Sequence, residues 1–252
     1  MTPGFPESLF STLASGIGAE LHLVRDVSGP RPGADPFADG TYDLGWICST
    51  SFVALALAAE DPSVRLTGVA WVPDDPDADG RPVYFGDLVV RADSGVSTLD
   101  DLAGARVGCN DPISLSGHYA LRGAFEDAGH DPETFAALQF TGGHHASLDG
   151  VVAGTLDAAV VDSVVRLRRA RHDPAVARLR VVERLGPWPV QPLVARASLD
   201  TGRCADVRGT VMELAEQPAV RAELAAAGLR GLVTVDDDHY EPVRRLLRGR
   251  RL

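Results

Sequence analysis

The chain has 252 residues, of which 45% are apolar, with a formal net charge of −11 and a pI near 5.0. That balance argues against a nucleic-acid surface and against an anionic membrane face, and the length suits two lobes of roughly 100–150 residues or one large domain. All 24 basic residues are arginine, which excludes Schiff-base chemistry and lysine-anchored pyridoxal phosphate.

The elements follow in chain order. Leu9–Ile17 predicts a helix and Glu20–Val24 a strand. Gly29–Gly40, rich in Gly, Pro and Asp, predicts a loop. Leu44–Cys48 is a short apolar strand, Ser51–Ala59 an Ala/Leu-rich helix and Val64–Val72 a strand. An acidic turn, Pro73–Gly80, leads into a long extended run, Val83–Arg91. Thr98, with Asp101 three residues on, has the pattern of a capping box at the start of a short helix.

Ala105–Cys109 predicts a strand and Tyr119–Ala128 a helix. Leu138–Phe140 is a strand closed by Thr141-Gly142-Gly143-His144-His145, and Ala146–Ala153 a helix. Val164–Arg171 is a further helix, Leu179–Glu183 and Leu193–Arg196 are strands, and Pro187-Trp188-Pro189 breaks the chain between them. Helices near Val207–Glu216, Ala219–Ala227 and Pro242–Leu247 complete the reading.

One unit occurs twice. Gly40-Thr41-Tyr42-Asp43 precedes the apolar run Leu44–Cys48 and then Ser49. Gly154-Thr155-Leu156-Asp157 precedes Ala158–Val161 and then Asp162-Ser163. Each reads as a turn, a buried strand and a polar strand end where a helix begins. Open α/β sheets bind ligands at such ends. Strands alternating with helices predict an α/β fold with mostly parallel sheets. The extended runs Val83–Arg91 and Arg180–Arg196 are the natural crossings between lobes. They divide the chain into a discontinuous lobe, residues 1–86 plus 190–252, and an inserted lobe, 87–189.

Met1–Phe10 lacks the basic and apolar regions of a secretory signal. The expectation is a cytoplasmic location for the chain as given, or the periplasm or cell surface if the true start lies upstream. No apolar stretch approaches the ~18–20 residues that span a bilayer. Cys48, Cys109 and Cys204 are widely spaced and odd in number, so free thiols are expected, with no disulfide framework. His118, His144 and His145 match no metal-ligand spacing. No metal and no cofactor are expected.

Several stretches resemble the phosphate, phosphite and phosphonate branch of the type II periplasmic solute-binding proteins. They are Tyr84-Phe85, Ser97–Gly104, Asp111-Pro112-Ile113-Ser114-Leu115-Ser116-Gly117, Gly142-Gly143-His144 and Gly154–Ala159. Their order and spacing match over roughly residues 40 to 240. The resemblance implies two α/β lobes with a central cleft, joined by two crossing strands and closing by a hinge on a small anion. It implies that Tyr84 hydrogen-bonds the ligand, that Ser114 and Ser116 hold its oxygens at a helix N-terminus, that His144 touches it and that Asp162 faces its other end. The family's usual Thr is Leu115 here, and His145 stands where an acidic residue is common; the resemblance implies that the family's first β-strand and export signal would lie upstream of Met1. The lost hydroxyl implies weaker phosphonate binding or a carboxylate ligand.

The residues alone leave alternatives. Ser114 and Ser116 are ligand donors or plain caps. His144 is a ligand contact or a capping histidine, and Asp162 a cap or a contact. Tyr84 and Trp46 are site walls or core aromatics. The function expected is a solute-binding protein that clasps a small anion, with an ABC-transporter permease as a partner. The alternatives are a cytoplasmic enzyme of the same fold, with His144 or Asp162 as acid or base (the chorismate dehydratase of menaquinone synthesis is one such enzyme), and a sensing module.

Overall fold

The structure is a computed structural model and describes residues 7–24 and 29–250. The chain divides into two compact units, Met1–Val83 with Pro189–Leu252, and Tyr84–Trp188. The first contains α1 (Glu7–Gly16), β1 (Leu44–Trp46), α2 (Ser49–Phe52) and β2 (Val64–Pro73). The second contains β3 (Val83–Val90), β4 (Arg106–Cys109), α3 (Ala120–Asp127), β5 (Ala137–Phe140), α4 (His144–Ala153), β6 (Ala158–Asp162), α5 (Ser163–Ala170), α6 (Pro174–Ala177) and β7 (Arg180–Pro189). β3 and β7 each end one residue over a unit boundary. The first unit resumes with β8 (Leu193–Arg196), α7 (Thr201–Ala215), α8 (Pro218–Ala226), β9 (Leu229–Thr234) and α9 (Glu241–Leu246).

The second unit's sheet has the order β5-β4-β6-β3-β7. Its centre is buried on both faces, which is why its strands read as unbroken apolar runs instead of alternating ones. Along β3, Leu88 and Val90 join one core with Leu102, Val107, Leu121, Phe125 and Val160. Val89 points the other way, into a core with Leu148, Val151, Leu156, Ala159 and Val161. The first unit's sheet has the order β1-β8-β2-β9, with α7 against β2 and α8 against β9.

Parallel pairing, expected to predominate, is confined among the described pairs to the second sheet. There β4 runs parallel to β5 and β6, while β3 is antiparallel to β6. In the first sheet β1 and β2 both pair antiparallel with β8, and β2 pairs antiparallel with β9. The physical reason is the path of the chain: β8 returns from the inserted unit between two outgoing strands. β9 has no counterpart among the expected elements. Glu20–Val24 forms no strand, because it finds no ladder partner among the described residues. Pro187 and Pro189 do not break the chain but lie within β7, an edge strand, where a missing N–H costs no ladder bond.

The repeated turn does the same work in both units. Gly40 and Gly154 take φ of 77° and 75°, a left-handed conformation open to glycine, and each donates its N–H three residues back, to Phe37 and Val151. Asp43 accepts from the Arg196 guanidinium at 2.8 Å, at the end of the neighbouring β8. Asp157 accepts from the Arg106 guanidinium at 2.8 Å and from its backbone N–H at 2.9 Å, at the start of the neighbouring β4. Arg106 holds the Asp157 carboxyl down at about pKa 2. After each repeat strand comes a fully buried serine that fastens the helix start to the chain entering its own unit. Ser49 Oγ donates toward Pro189 O and Val190 O at 2.9 and 3.1 Å, and Ser163 Oγ accepts from Phe85 N at 3.2 Å.

Both Asp–Arg pairs are partly exposed, so each is worth little: Asp157→Ala and Asp43→Ala should each cost about 0.5–1 kcal/mol in urea unfolding. Losing stability through one pair only would show that the two turns are not equivalent.

Candidate functional site

Five of the six expected site residues belong to the second unit, and contacts through Gly117 connect three of them, Ser114, His144 and Asp162. After β4 the chain turns at Asn110–Ser114. Asp111 Oδ1 accepts from Ile113 N at 2.7 Å, and Ser114 N donates to Asp111 O at 3.2 Å. Ser114 then caps a five-residue π turn, Leu115–Tyr119, that leads into α3. Its Oγ accepts from Gly117 N at 3.2 Å, and its carbonyl accepts from Tyr119 N at 3.0 Å. A hydroxyl that accepts one N–H still has its own proton to donate. Ser116 is 1% exposed, and Leu115 beside it is fully buried.

Glycine lets two other elements approach this loop. A Cβ on Gly86 of β3 would lie 2.5 Å from the carbonyl oxygen of Ser116. A Cβ on Gly117 would meet Asn110 Oδ1 at 1.8 Å and His144 Cε1 at 3.0 Å. The loop, the start of α4 and β3 therefore converge on the Ser114–Gly117 turn. Asn110 is the residue the sequence reading passed over. Its Oδ1 is buried with no hydrogen-bond partner among the described residues. The only signal for it was a polar residue where an apolar strand stops.

His144 is the first residue of α4 and is 4% exposed. The backbone N–H of Asp162 donates to its Nδ1 at 3.3 Å, so in the neutral ring the proton sits on Nε2. Burial, with a smaller contribution from His145, pushes its pKa down to about 3. The ring is therefore a neutral donor at physiological pH, and too weak a base for general acid–base work there. Asp162, the last residue of β6, caps α5: its Oδ1 accepts from Val164 N and Val165 N at 2.8 and 3.2 Å. His145 lies half-buried and more open, its pKa lowered by burial and by Arg169.

Tyr84 opens the second unit's share of β3, two residues before Gly86, and is almost wholly buried. Three residues on, buried Asp87 accepts from Arg166 of α5 at 2.5 Å and from Arg184 of β7 at 2.8 Å. The Arg184 guanidinium also lies 4.2 Å over the ring of Phe85, a cation–π contact. Trp46 belongs to the other unit. It stacks on Trp71 with ring centroids 5.0 Å apart and meets Phe10 edge-on at 5.7 Å. Its Nε1 is buried without a hydrogen-bond partner among the described residues. Burial holds the Cys109 thiol up at about pKa 12, which leaves it inert as a nucleophile. Among the described residues no group of three or more His, Cys, Asp or Glu gathers as for a metal ion, and no helix is long and apolar enough to cross a membrane.

Two α/β units, each sheet flanked by helices, with a serine-capped turn after β4, define a solute-binding protein of the type II periplasmic fold. The family described as the periplasmic substrate-binding protein of phosphonate ABC transporters matches residues 33–240, and the chain belongs to that family. It is similar to the binding-protein component of a phosphonate ABC transporter from Pseudomonas aeruginosa, at 20% identity and TM-score 0.78 over 95% of this chain and 80% of that one. It is similar to PhnD1 from Prochlorococcus marinus, solved with methylphosphonate, at 16% identity and TM-score 0.75 over 98% and 95% of the two chains. A third similar structure is a Xanthomonas citri protein bound to chloride, at 17% identity and TM-score 0.73 over 96% and 90%. Family membership supports the binding reading over the enzyme alternative.

Two outcomes follow from this geometry. Gly86→Ala should cost about 1–3 kcal/mol in urea unfolding, because the new methyl meets backbone that cannot swing aside. For His144, the unfolded ring takes up a proton as the pH falls through 6.5, and the folded ring does so only near 3. Its contribution is therefore complete above pH 6.5 and lost on acidification toward 3, on the order of 3–5 kcal/mol in all. The fall in stability between pH 7 and pH 4 should be smaller in His144→Gln than in the wild type, and the ring's Cε1 proton resonance should not titrate between pH 8 and 4.5.

Proposed function

We propose that this protein captures a phosphonate or a closely related small tetrahedral oxyanion and delivers it to an ABC-transporter permease outside the cytoplasmic membrane. The observation that carries the reading is the connected set Ser114–Gly117–His144–Asp162. In it the Ser114 hydroxyl accepts from Gly117 N, His144 approaches Gly117, and Asp162 N donates to His144 Nδ1, all at one helix start, with Ser116 between Ser114 and Gly117 in the same turn. Helix N-termini favour anions. Hydroxyl and imidazole donors serve an anion without adding charge, which suits a chain with no lysine and a net charge of −11. Ser114, Ser116 and His144 hold the oxygens, Tyr84 lies on the adjoining strand, and Asp162 fixes the orientation of His144 through its backbone. Leu115, fully buried, contributes packing where a hydroxyl would otherwise stand.

The test is calorimetric titration with methylphosphonate, phosphate, phosphite and acetate. At least one tetrahedral oxyanion should bind more tightly than acetate. Ser114→Ala with Ser116→Ala should weaken that binding about tenfold or more, since two donors worth roughly 0.5–1.5 kcal/mol each are lost. Acetate as the preferred ligand, or unchanged affinity in the double variant, would overturn the reading.

A further inference from the structure

We propose that His118 is a positioning residue for the serine-bearing loop, acting through the carbonyl of Pro112; the proposal rests on the reading of that loop as the anion site. Pro112 stands in the middle of the Asn110–Ser116 turn and has no N–H of its own, so its carbonyl is the one backbone group through which that residue can be tied down. The Nδ1 of His118 lies 2.6 Å from that oxygen. A carbonyl only accepts, so Nδ1 carries the proton and donates, whether the ring is neutral or charged.

The ring is held where it can do this. His118 is 7% exposed. Phe140, at the end of β5, meets it edge-on at 5.1 Å, and Tyr119 lies 5.1 Å away on its own turn. Burial lowers its pKa; the bond to Pro112 and the charge of Glu133 act against this, and Arg122 acts with it. The backbone route to the same loop is the π turn, in which Tyr119 N reaches back five residues to Ser114 O. π turns mark functional sites more often than ordinary helix does. Here the turn sets His118 beneath Pro112 while Ser114 and Ser116 remain at its start. Three ties thus converge on a short loop: Asp111 Oδ1 to Ile113 N, Ser114 Oγ to Gly117 N, and His118 to Pro112 O. Only the last comes from a side chain that is neither in the loop nor a proposed ligand contact. Ligand donors held in place before binding raise affinity by lowering the ordering cost.

The experiment uses two amide substitutions that differ in reach. His118→Asn places a donor near the former Nδ1, and His118→Gln extends it toward the former Nε2. Both are read by amide hydrogen exchange in the ligand-free protein and by titration with methylphosphonate. His118→Asn should keep the protection of the Ile113 and Gly117 amides and bind within about threefold of the wild type. His118→Gln should lose that protection and bind about tenfold more weakly, with exchange in β4 and β6 unchanged. Equal behaviour of the two variants, whether both intact or both impaired, overturns the proposal. If the wild type binds no methylphosphonate, the functional reading is what fails, and the exchange contrast at Ile113 and Gly117 still decides the role of His118.

Discussion

A buried strand that runs into a helix leaves N–H groups with nowhere to go unless the sequence supplies an acceptor at the junction. This chain meets that need after its strands with short oxygen-bearing side chains: Ser114 before the π turn, Asp162 before α5, Asp200 before α7 and Asp236 before the last short 3₁₀ turn. The candidate site is built from these junctions rather than added to them. The hydroxyl of Ser114 and the backbone of Asp162 serve the fold first. What they leave over, a hydroxyl proton and a histidine held in one tautomer, is what a ligand can use.

Electrostatics favours neutral donors at the candidate site. In a chain with eleven more acidic than basic residues, a cationic side chain beside the candidate loop would be drawn into ion pairs. The arginines show this: Arg166 and Arg184 share Asp87, Arg169 reaches both Asp149 and Asp173, and Arg106 clasps Asp157. Neutral donors face no such competition. They also keep the site's charge constant over the range in which ordinary histidines titrate, because His144 stays neutral far below pH 6.5.

Much of this was legible in the sequence because it is local. The doubled Gly-Thr-x-Asp turn, the apolar β4 and β6, the cap at Thr98 and the serine-rich start after β4 each lie within a few residues of what they determine. What escaped depends on distant partners. β9 exists because Trp71 and Val72 of β2 offer it a ladder, and nothing within Leu229–Thr234 itself announces that. Glu20–Val24 has a strand's composition but no neighbour to pair with among the described residues. Pro187 and Pro189 look like breakers until the sheet order puts β7 at an edge. Asp162 read equally as a cap or a contact, and only the geometry showed the cap made. The closeness of Asn110 to Gly117 and of His118 to Pro112 was likewise invisible, because no spacing rule connects those residues.

Among the described residues two π turns occur, one in each unit: Val53–Leu57 in the helical stretch after β1, and Leu115–Tyr119 in the one after β4. A π turn holds one residue more than an α turn closed over the same span. Each is thus a place where the chain can shorten by a residue and fall back to ordinary helix, with the packing of everything downstream rotated by about a quarter turn. Length variation between relatives of this protein has a natural home there: a single deletion could re-aim the helix behind the loop without unmaking the strand in front of it.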